Sequence, residues 1–424
     1  METPSKTHVR ALRRPLGLSM NTSIELEERY SAHNYHPLPV VLVRGEGVYL
    51  WDDAGNRYLD MMSAYSAVSH GHAHPRLVQA FTKQAGLLAV CSRAFYTDKL
   101  GLFLKRVCDL TGMDAALPMN TGVEAVETAL KAVRKWAYKV KGVAPGQAEI
   151  IACTGNFHGR TIAAVSLSSE AQYKDGFGPF PGGSKLVPYG DADALERAIT
   201  PNTAAFLVEP IQGEAGIIVP PKGYLARCAD ICRQHNVLFI ADEIQTGLGR
   251  TGRLLACEHE GVRPDGLILG KALGGGLLPV SMFLAKHEVM DVFTPGDHGS
   301  TFGGNALAAA VGSQALDVLV EEKLAERSAE LGAYMLERLR SIKNPLIKNL
   351  RGLGLFIGLE IDPRRARARE VCEHLLVQGI LSKETHETVV RFAPPLVITR
   401  EQIDWALARI ELVLHDMARL KAAS

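Results

Sequence analysis

A lysine closes an apolar strand in the stretch Leu267-Ile268-Leu269-Gly270-Lys271, and the glycines Gly274-Gly275-Gly276 follow it. The end of a buried strand is an expensive place for an ammonium, yet a workable one for a lysine that is deprotonated or converted to an imine. Upstream, Val237-Leu238-Phe239-Ile240-Ala241 runs into Asp242 and Glu243. If the two strands are parallel neighbours, Asp242 and Lys271 meet at carboxyl ends, where open α/β sheets bind ligands. An imine-forming lysine and a carboxylate facing a pyridinium nitrogen are the protein half of pyridoxal-phosphate (PLP) chemistry. Taken alone, the pair is matched as well by a surface lysine and an N-capping aspartate.

A phosphate needs a seat, and Asn120-Thr121-Gly122-Val123-Glu124 offers one. Thr121 and Glu124 have the spacing of a capping box, and Val123, Val126, Leu130 and Val133 recur at helical spacing behind it. The positive end of such a helix, with its unpaired N–H groups, binds anions. By itself the motif also fits an ordinary capped helix.

Around these residues the pattern predicts alternating strands and helices, hence a mostly parallel sheet. Strands are expected at 149–153, 162–167, 204–208, 237–241, 266–269 and 281–284, with a helix over 225–235. Residues 48–60 read as two strands around a turn. Past residue 305 the expectation is helices at 306–320 and 324–342, strands at 353–361, 380–382 and 389–392, and an amphipathic helix over 401–421. Three units follow: an N-terminal segment (1–60) packing with the small domain, a large domain (61–304) and a smaller α+β domain (305–424).

Other motifs carry less. Gly247-Leu248-Gly249-Arg250-Thr251-Gly252 matches GxGxxG, but it is separated from its strand and no clean helix follows, so no dinucleotide site is read there. Gly270-Lys271 lacks the spacing and the Ser/Thr of a P-loop. His70, His72 and His74 alternate in a Gly-Pro loop without an accompanying carboxylate or cysteine, so no metal is expected. A formal charge of +1 offers nothing to nucleic acid or an anionic membrane, and no apolar run reaches the ~18 residues of a membrane helix. Seven scattered cysteines suit a reducing, cytoplasmic compartment. Lys6, Arg10, Arg13 and Arg14 against Glu2 loosely resemble a mitochondrial presequence, and read more simply as a tail before a start at Met20.

With phosphate seat, aspartate and lysine in this order, the chain resembles the class III aminotransferases of PLP fold type I. The signatures are Ala32-His33-Asn34-Tyr35-His36-Pro37-Leu38-Pro39, Asn120-Thr121-Gly122-Val123-Glu124-Ala125, Val208-Glu209-Pro210-Ile211-Gln212-Gly213-Glu214-Ala215-Gly216 and Arg391-Phe392-Ala393-Pro394-Pro395-Leu396. The resemblance implies a large domain with a mostly parallel central sheet plus a smaller α+β domain. It implies that Lys271 carries the cofactor and shuttles the proton, that Asp242 keeps the pyridine nitrogen protonated and that Gln245 reaches the phenolic oxygen. Phe157 would stack on the ring, with Gly122 and Val123 donating N–H to the phosphate. Ser300 and Thr301 would cap the phosphate of a neighbouring subunit, making the active unit a homodimer or higher homo-oligomer.

For substrate, the resemblance makes Arg160 one carboxylate clamp, with Tyr35 as helper and Tyr65 lining the pocket. Arg391 would be the second clamp and Glu214 its lid. His158 stands where an aromatic such as Trp often follows the stacking residue, a departure from the family pattern that leaves stacking by Phe157 intact and does not fix the outer pocket. Within the class the likeness is to members that move the δ-amino group of ornithine to 2-oxoglutarate. Acetylornithine and, further off, 4-aminobutyrate are the alternative substrates. A PLP isomerase or a PLP-binding regulator would fit the same fold, but binding alone needs no proton shuttle.

Overall fold

The computed structural model describes residues 20–423, so the basic N-terminal stretch and the Met1/Met20 alternative lie largely outside the described residues. Continuous apolar runs such as Thr203–Val208 and Leu238–Asp242 are buried along their whole length, as strands covered on both faces must be. They belong to a seven-stranded sheet. Its spatial order is Ala115–Met119, Ser281–Ala285, Gly266–Leu269, Leu238–Asp242, Thr203–Val208, Glu149–Cys153 and Ser184–Val187. Every pairing from Gly266–Leu269 to the Ser184–Val187 edge is parallel, while Ser281–Ala285 runs antiparallel to both its neighbours.

Period-two alternation divides the core. Phe206, Phe239 and Leu267 point to one face, Ala205, Ile240 and Ile268 to the other. The helix Gly122–Trp136 lies on the second face and buries Ala125, Val126, Ala129, Leu130 and Val133 there. Each fully buried Val or Leu contributes about 1.5–3 kcal/mol. That packing fixes where the helix begins, and its beginning is what the site uses.

Two smaller sheets flank this one. Ile347–Gly352, Ile357–Ile361, Val389–Phe392 and Lys383–Thr385 form an antiparallel sheet in that order. Leu42–Glu46, Tyr49–Asp52 and Arg57–Asp60 form another, completed by Ile380–Leu381, which pairs parallel with Arg57–Asp60. Among the described residues no helix is long and apolar enough to cross a membrane.

Two local expectations are corrected. Residues 162–167 are not a strand: Ile162–Ser166 is a helix, with Thr161 as N-cap accepting from Ala164 N–H at 3.3 Å. A six-residue apolar run has no periodicity to decide between the two, and the cap decides it. Residues 353–361 are not one strand but the second half of a hairpin, Ile347–Gly352 with Ile357–Ile361. The strands Ala115–Met119 and Ser184–Val187 carry too little β-branched character to stand out in the sequence.

Candidate active site

Asp242 pairs with Ile268 across the parallel ladder, so Lys271, three residues further on, emerges beside it at the carboxyl edge. Lys271 has φ 44°, a left-handed conformation that a non-glycine residue adopts only under constraint. Its amine opens on a cavity of about 190 Å³ lined by Gly122, Val123, Phe157, His158, Glu209, Asp242 and Gln245 among others. Burial pushes the lysine pKa down, and the charges of Glu214 and Asp242 offset only part of that. An amine in this setting loses its proton more readily than a surface lysine, as a nucleophile and proton shuttle requires.

Asp242 is held from two sides. Its Oδ1 accepts the Ile244 N–H at 3.1 Å and its Oδ2 meets His158 Nδ1 at 2.7 Å. His158 is fully buried; burial alone lowers its pKa, but the hydrogen bond and charge of Asp242 raise it overall. His158 thus stands beside Asp242 as that carboxylate's partner. Its Nε2 meets no hydrogen-bond partner among the described residues.

The helix start borders the same cavity. The Glu124 carboxylate accepts the Thr121 N–H at 2.6 Å and the Asn120 N–H at 3.2 Å, completing the capping box. Gly122 and Val123 follow at the first helical positions, whose N–H groups have no intrahelical acceptor. A methyl on Gly122 would approach Ile244 to 3.0 Å, so the backbone passes close to the site floor. Gly213 is stricter, since a Cβ there would fall 1.8 Å from Gln245 Oε1. The amine, the acidic partner, the anion seat and an aromatic wall fit a phosphorylated pyridine aldehyde on all its sides.

Beyond this floor lie two arginines. Arg160 is exposed, with its guanidinium 3.7 Å from the Tyr173 ring centre and 5.3 Å from that of Phe157. Arg391 is buried, bonded to Glu214 at 2.7 Å and stacked on Tyr65 at 4.8 Å. Burial raises the Glu214 pKa, but Arg391 first and then Lys271 hold it below the usual carboxylate range. Tyr65 is half-buried, and its phenol pKa is pushed up by that burial. Tyr35 is 75% exposed. Ser300 Oγ accepts from Asn120 at 2.8 Å, at the entry to the phosphate-seat helix of its own chain, and Thr301 is exposed beside it.

Glu209 is a neighbour to which no role was given from sequence. It closes the strand Thr203–Val208 as Asp242 closes the next one, and the same reasoning applied to Val208-Glu209 would have found it. Its carboxylate accepts the Phe157 N–H at 2.8 Å and the Gly213 N–H at 3.4 Å, and burial pushes it up to about 7. The three histidines of the Gly-Pro loop go elsewhere: His72 to Asp60, His74 to Glu322 and His70 to the Ala315 carbonyl.

The family model for class III aminotransferases matches residues 30–414. The chain belongs to the class III aminotransferases. As a member of that family it is a PLP-dependent transaminase. An ornithine aminotransferase from Exiguobacterium sp. is 61% identical over 395 residues, covering 93% of this chain and 98% of that protein. A structure of the ornithine aminotransferase from Toxoplasma gondii, in which PLP partially occupies the active site, matches with TM-score 0.94 and 46% identity. It covers 95% of this chain and 96% of the other. The acetylornithine aminotransferase of Elizabethkingia anophelis matches with TM-score 0.86 and 48% identity, over 94% and 99% of the two chains.

Proposed function

We propose that this class III aminotransferase transfers the δ-amino group of L-ornithine to 2-oxoglutarate. The products are glutamate and glutamate-5-semialdehyde, which cyclises to pyrroline-5-carboxylate. The observation that carries the reading is the Glu214–Arg391 pair at 2.7 Å, its arginine buried and its carboxylate partly so, on the Lys271 side of the pocket. The reacting end of ornithine is an amine with no carboxylate attached, so a bare arginine there would invite the substrate to bind backwards. Glutamate carries a carboxylate beside its reacting amine and needs that arginine. A lid that pairs in one step and opens in the other serves both. The ornithine aminotransferases at about 60% identity support the same choice.

PLP, when bound, supplies the electron-withdrawing ring into which the substrate's electron pair is drained. This chain's residues do the rest. Lys271 holds the cofactor and moves the proton, Asp242 keeps the ring nitrogen protonated, and Gln245 addresses the phenolic oxygen. Gly122 and Val123 seat the phosphate and Phe157 covers the ring. Arg160 clamps the ornithine α-carboxylate with help from Tyr35, and Tyr65 lines the pocket. Acetylornithine is the second reading, favoured by the 48% identical acetylornithine enzyme.

The working unit we propose is a homodimer in which Ser300 and Thr301 reach the neighbour's phosphate. The exposed apolar residues Phe302, beside Thr301, and Leu87, Phe95 and Tyr96, in the 86–99 loop whose Ala89 carbonyl accepts the Leu307 N–H, support this. We further propose the division into units at about 1–60, 61–304 and 305–424, and a cytoplasmic setting in keeping with seven unpaired cysteines.

Removing the lid tests the reading. The Arg391 guanidinium is buried and leaving it unpaired is costly, so the lid stays shut until a carboxylate displaces it. In Glu214→Ala, stopped-flow absorbance should show the glutamate half-reaction gaining on the ornithine half-reaction, with some transfer of ornithine's α-amine. An unchanged ratio would leave Glu214 a structural residue. Tyr35→Phe should weaken ornithine more than 2-oxoglutarate, because an orphaned polar group costs ~1–3 kcal/mol. Equal losses, read as KM for each substrate, would show that Tyr35 supports the pocket without selecting.

A further inference from the structure

The glycine-rich stretch Gly247–Gly252 binds no nucleotide in the reading above, but it delivers Arg250 into the interior with no exposed surface at all. A buried guanidinium is normally retained only with a carboxylate to neutralise it. Here its hydrogen-bond acceptors are neutral, and the charge of Asp60 offsets its burial only in part. Nη1 donates to the carbonyls of Leu355 at 3.0 Å and Pro394 at 2.6 Å, and Nη2 to the hydroxyls of Ser63 at 3.1 Å and Ser69 at 3.0 Å. The Arg250 carbonyl in turn accepts from Ser328 Oγ, which also accepts the Leu355 N–H.

What Arg250 joins is specific. Ser63 opens a run of left-handed residues, Ser63, Ala64, Tyr65 and Ser66, with φ of 45°, 47°, 58° and 73°. Non-glycine residues leave that conformation unless they are held. Asp60 holds the start, accepting the Met62 and Ser63 N–H groups at 2.9 and 2.8 Å. Arg250 and the Ala393 carbonyl hold Ser63 Oγ, the latter at 2.7 Å. Ala393 and Pro394 follow Arg391 by two and three residues. One guanidinium therefore ties the turn that carries Tyr65 to the segment that carries Arg391, and those two side chains stack at 4.8 Å.

We propose that Arg250 is a positioning residue for the second carboxylate subsite: it keeps Tyr65 under the Arg391 guanidinium when Glu214 releases it. The inference rests on the ornithine/2-oxoglutarate reading above. Ornithine, clamped on Arg160, does not call on Arg391, whereas glutamate does. Loss of the tie should therefore act on one half-reaction and spare the other.

Arg250→Lys keeps the charge and loses the fork. With its fold checked by circular dichroism and melting, it should raise the apparent Kd for glutamate in the single-turnover half-reaction about tenfold and shift that for ornithine by less than about twofold. In a Tyr65→Ala background the same change should have no further effect on glutamate, because the effect runs through Tyr65. If Arg250→Lys does not fold, Ser63→Ala decides. It removes one of the four ties to Arg250 together with the Ser63 Oγ bond to the Ala393 carbonyl, and should act on glutamate alone, by about threefold. Equal losses in both half-reactions, or an undiminished effect without Tyr65, would overturn the proposal. Failure of the unmodified protein to convert ornithine would instead overturn the functional reading and leave this geometry unassigned.

Discussion

Lys271→Ala is expected to fold and to lose turnover by at least about four orders of magnitude, since nucleophile and proton carrier go together. The fold should survive because the lysine is a burden on it. Burial pushes its pKa down, meaning that the folded protein pays for an ammonium there. The melting temperature should therefore hold or rise. Phosphate seating at Gly122 and stacking on Phe157 do not pass through Lys271, so the variant should still take up cofactor. In the unmodified protein, borohydride reduction followed by peptide mapping should place the cofactor on Lys271. Label on another lysine would sink the assignment, as would measurable steady-state turnover in the variant.

Asp242→Ala should lower turnover by about 10²–10³, the loss expected when a preorganised charge facing developing charge is removed. Unlike Lys271, Asp242 also has a structural partner. Its removal leaves His158 buried with neither nitrogen bonded, and that orphaning costs about 1–3 kcal/mol of stability. The loss has a pH signature. Asp242 raises the His158 pKa in the folded state, so the pair contributes stability that is fully present below the unfolded imidazole pKa of about 6.5 and is lost as pH rises through the folded value. The destabilisation in Asp242→Ala should accordingly be larger at pH 6 than at pH 9 in denaturant titrations. A pH-independent difference would mean that His158 is neutral throughout. Near-normal turnover with ornithine would mean that Asp242 does not face the ring nitrogen.

How much of this was legible follows from what each residue does to its own neighbourhood in sequence. Asp242 and Lys271 each interrupt an apolar strand at its end, and a polar residue in that place announces itself. Glu209 does the same after Val208, so its signal is as plain in the sequence as that of Asp242. The phosphate seat was legible because capping is local, with donor and acceptor three residues apart. Glu214 and Arg391 lie 177 residues apart, and no spacing rule joins them; only the resemblance did. Arg250 and His158 are different again. Arginine in a glycine-rich loop is ordinarily exposed, and a histidine beside a stacking aromatic points either way. Their burial depends on how the sheet carrying Arg391 docks against the turn at Ser63 and on how the loop after Glu149–Cys153 folds over Asp242. Long-range packing of that kind leaves no periodic trace.

The two-substrate pocket turns on the identity of the amine donor. The most direct measurement mixes the PLP-loaded protein with 2-oxoglutarate and either ornithine or acetylornithine, traps pyrroline-5-carboxylate with o-aminobenzaldehyde, and quantifies glutamate alongside. Trapped ring product and glutamate should form in equal amounts from ornithine, with acetylornithine at least about tenfold poorer as a donor. Glutamate formed faster from acetylornithine, or formed from ornithine without the cyclic product, would contradict the ornithine reading.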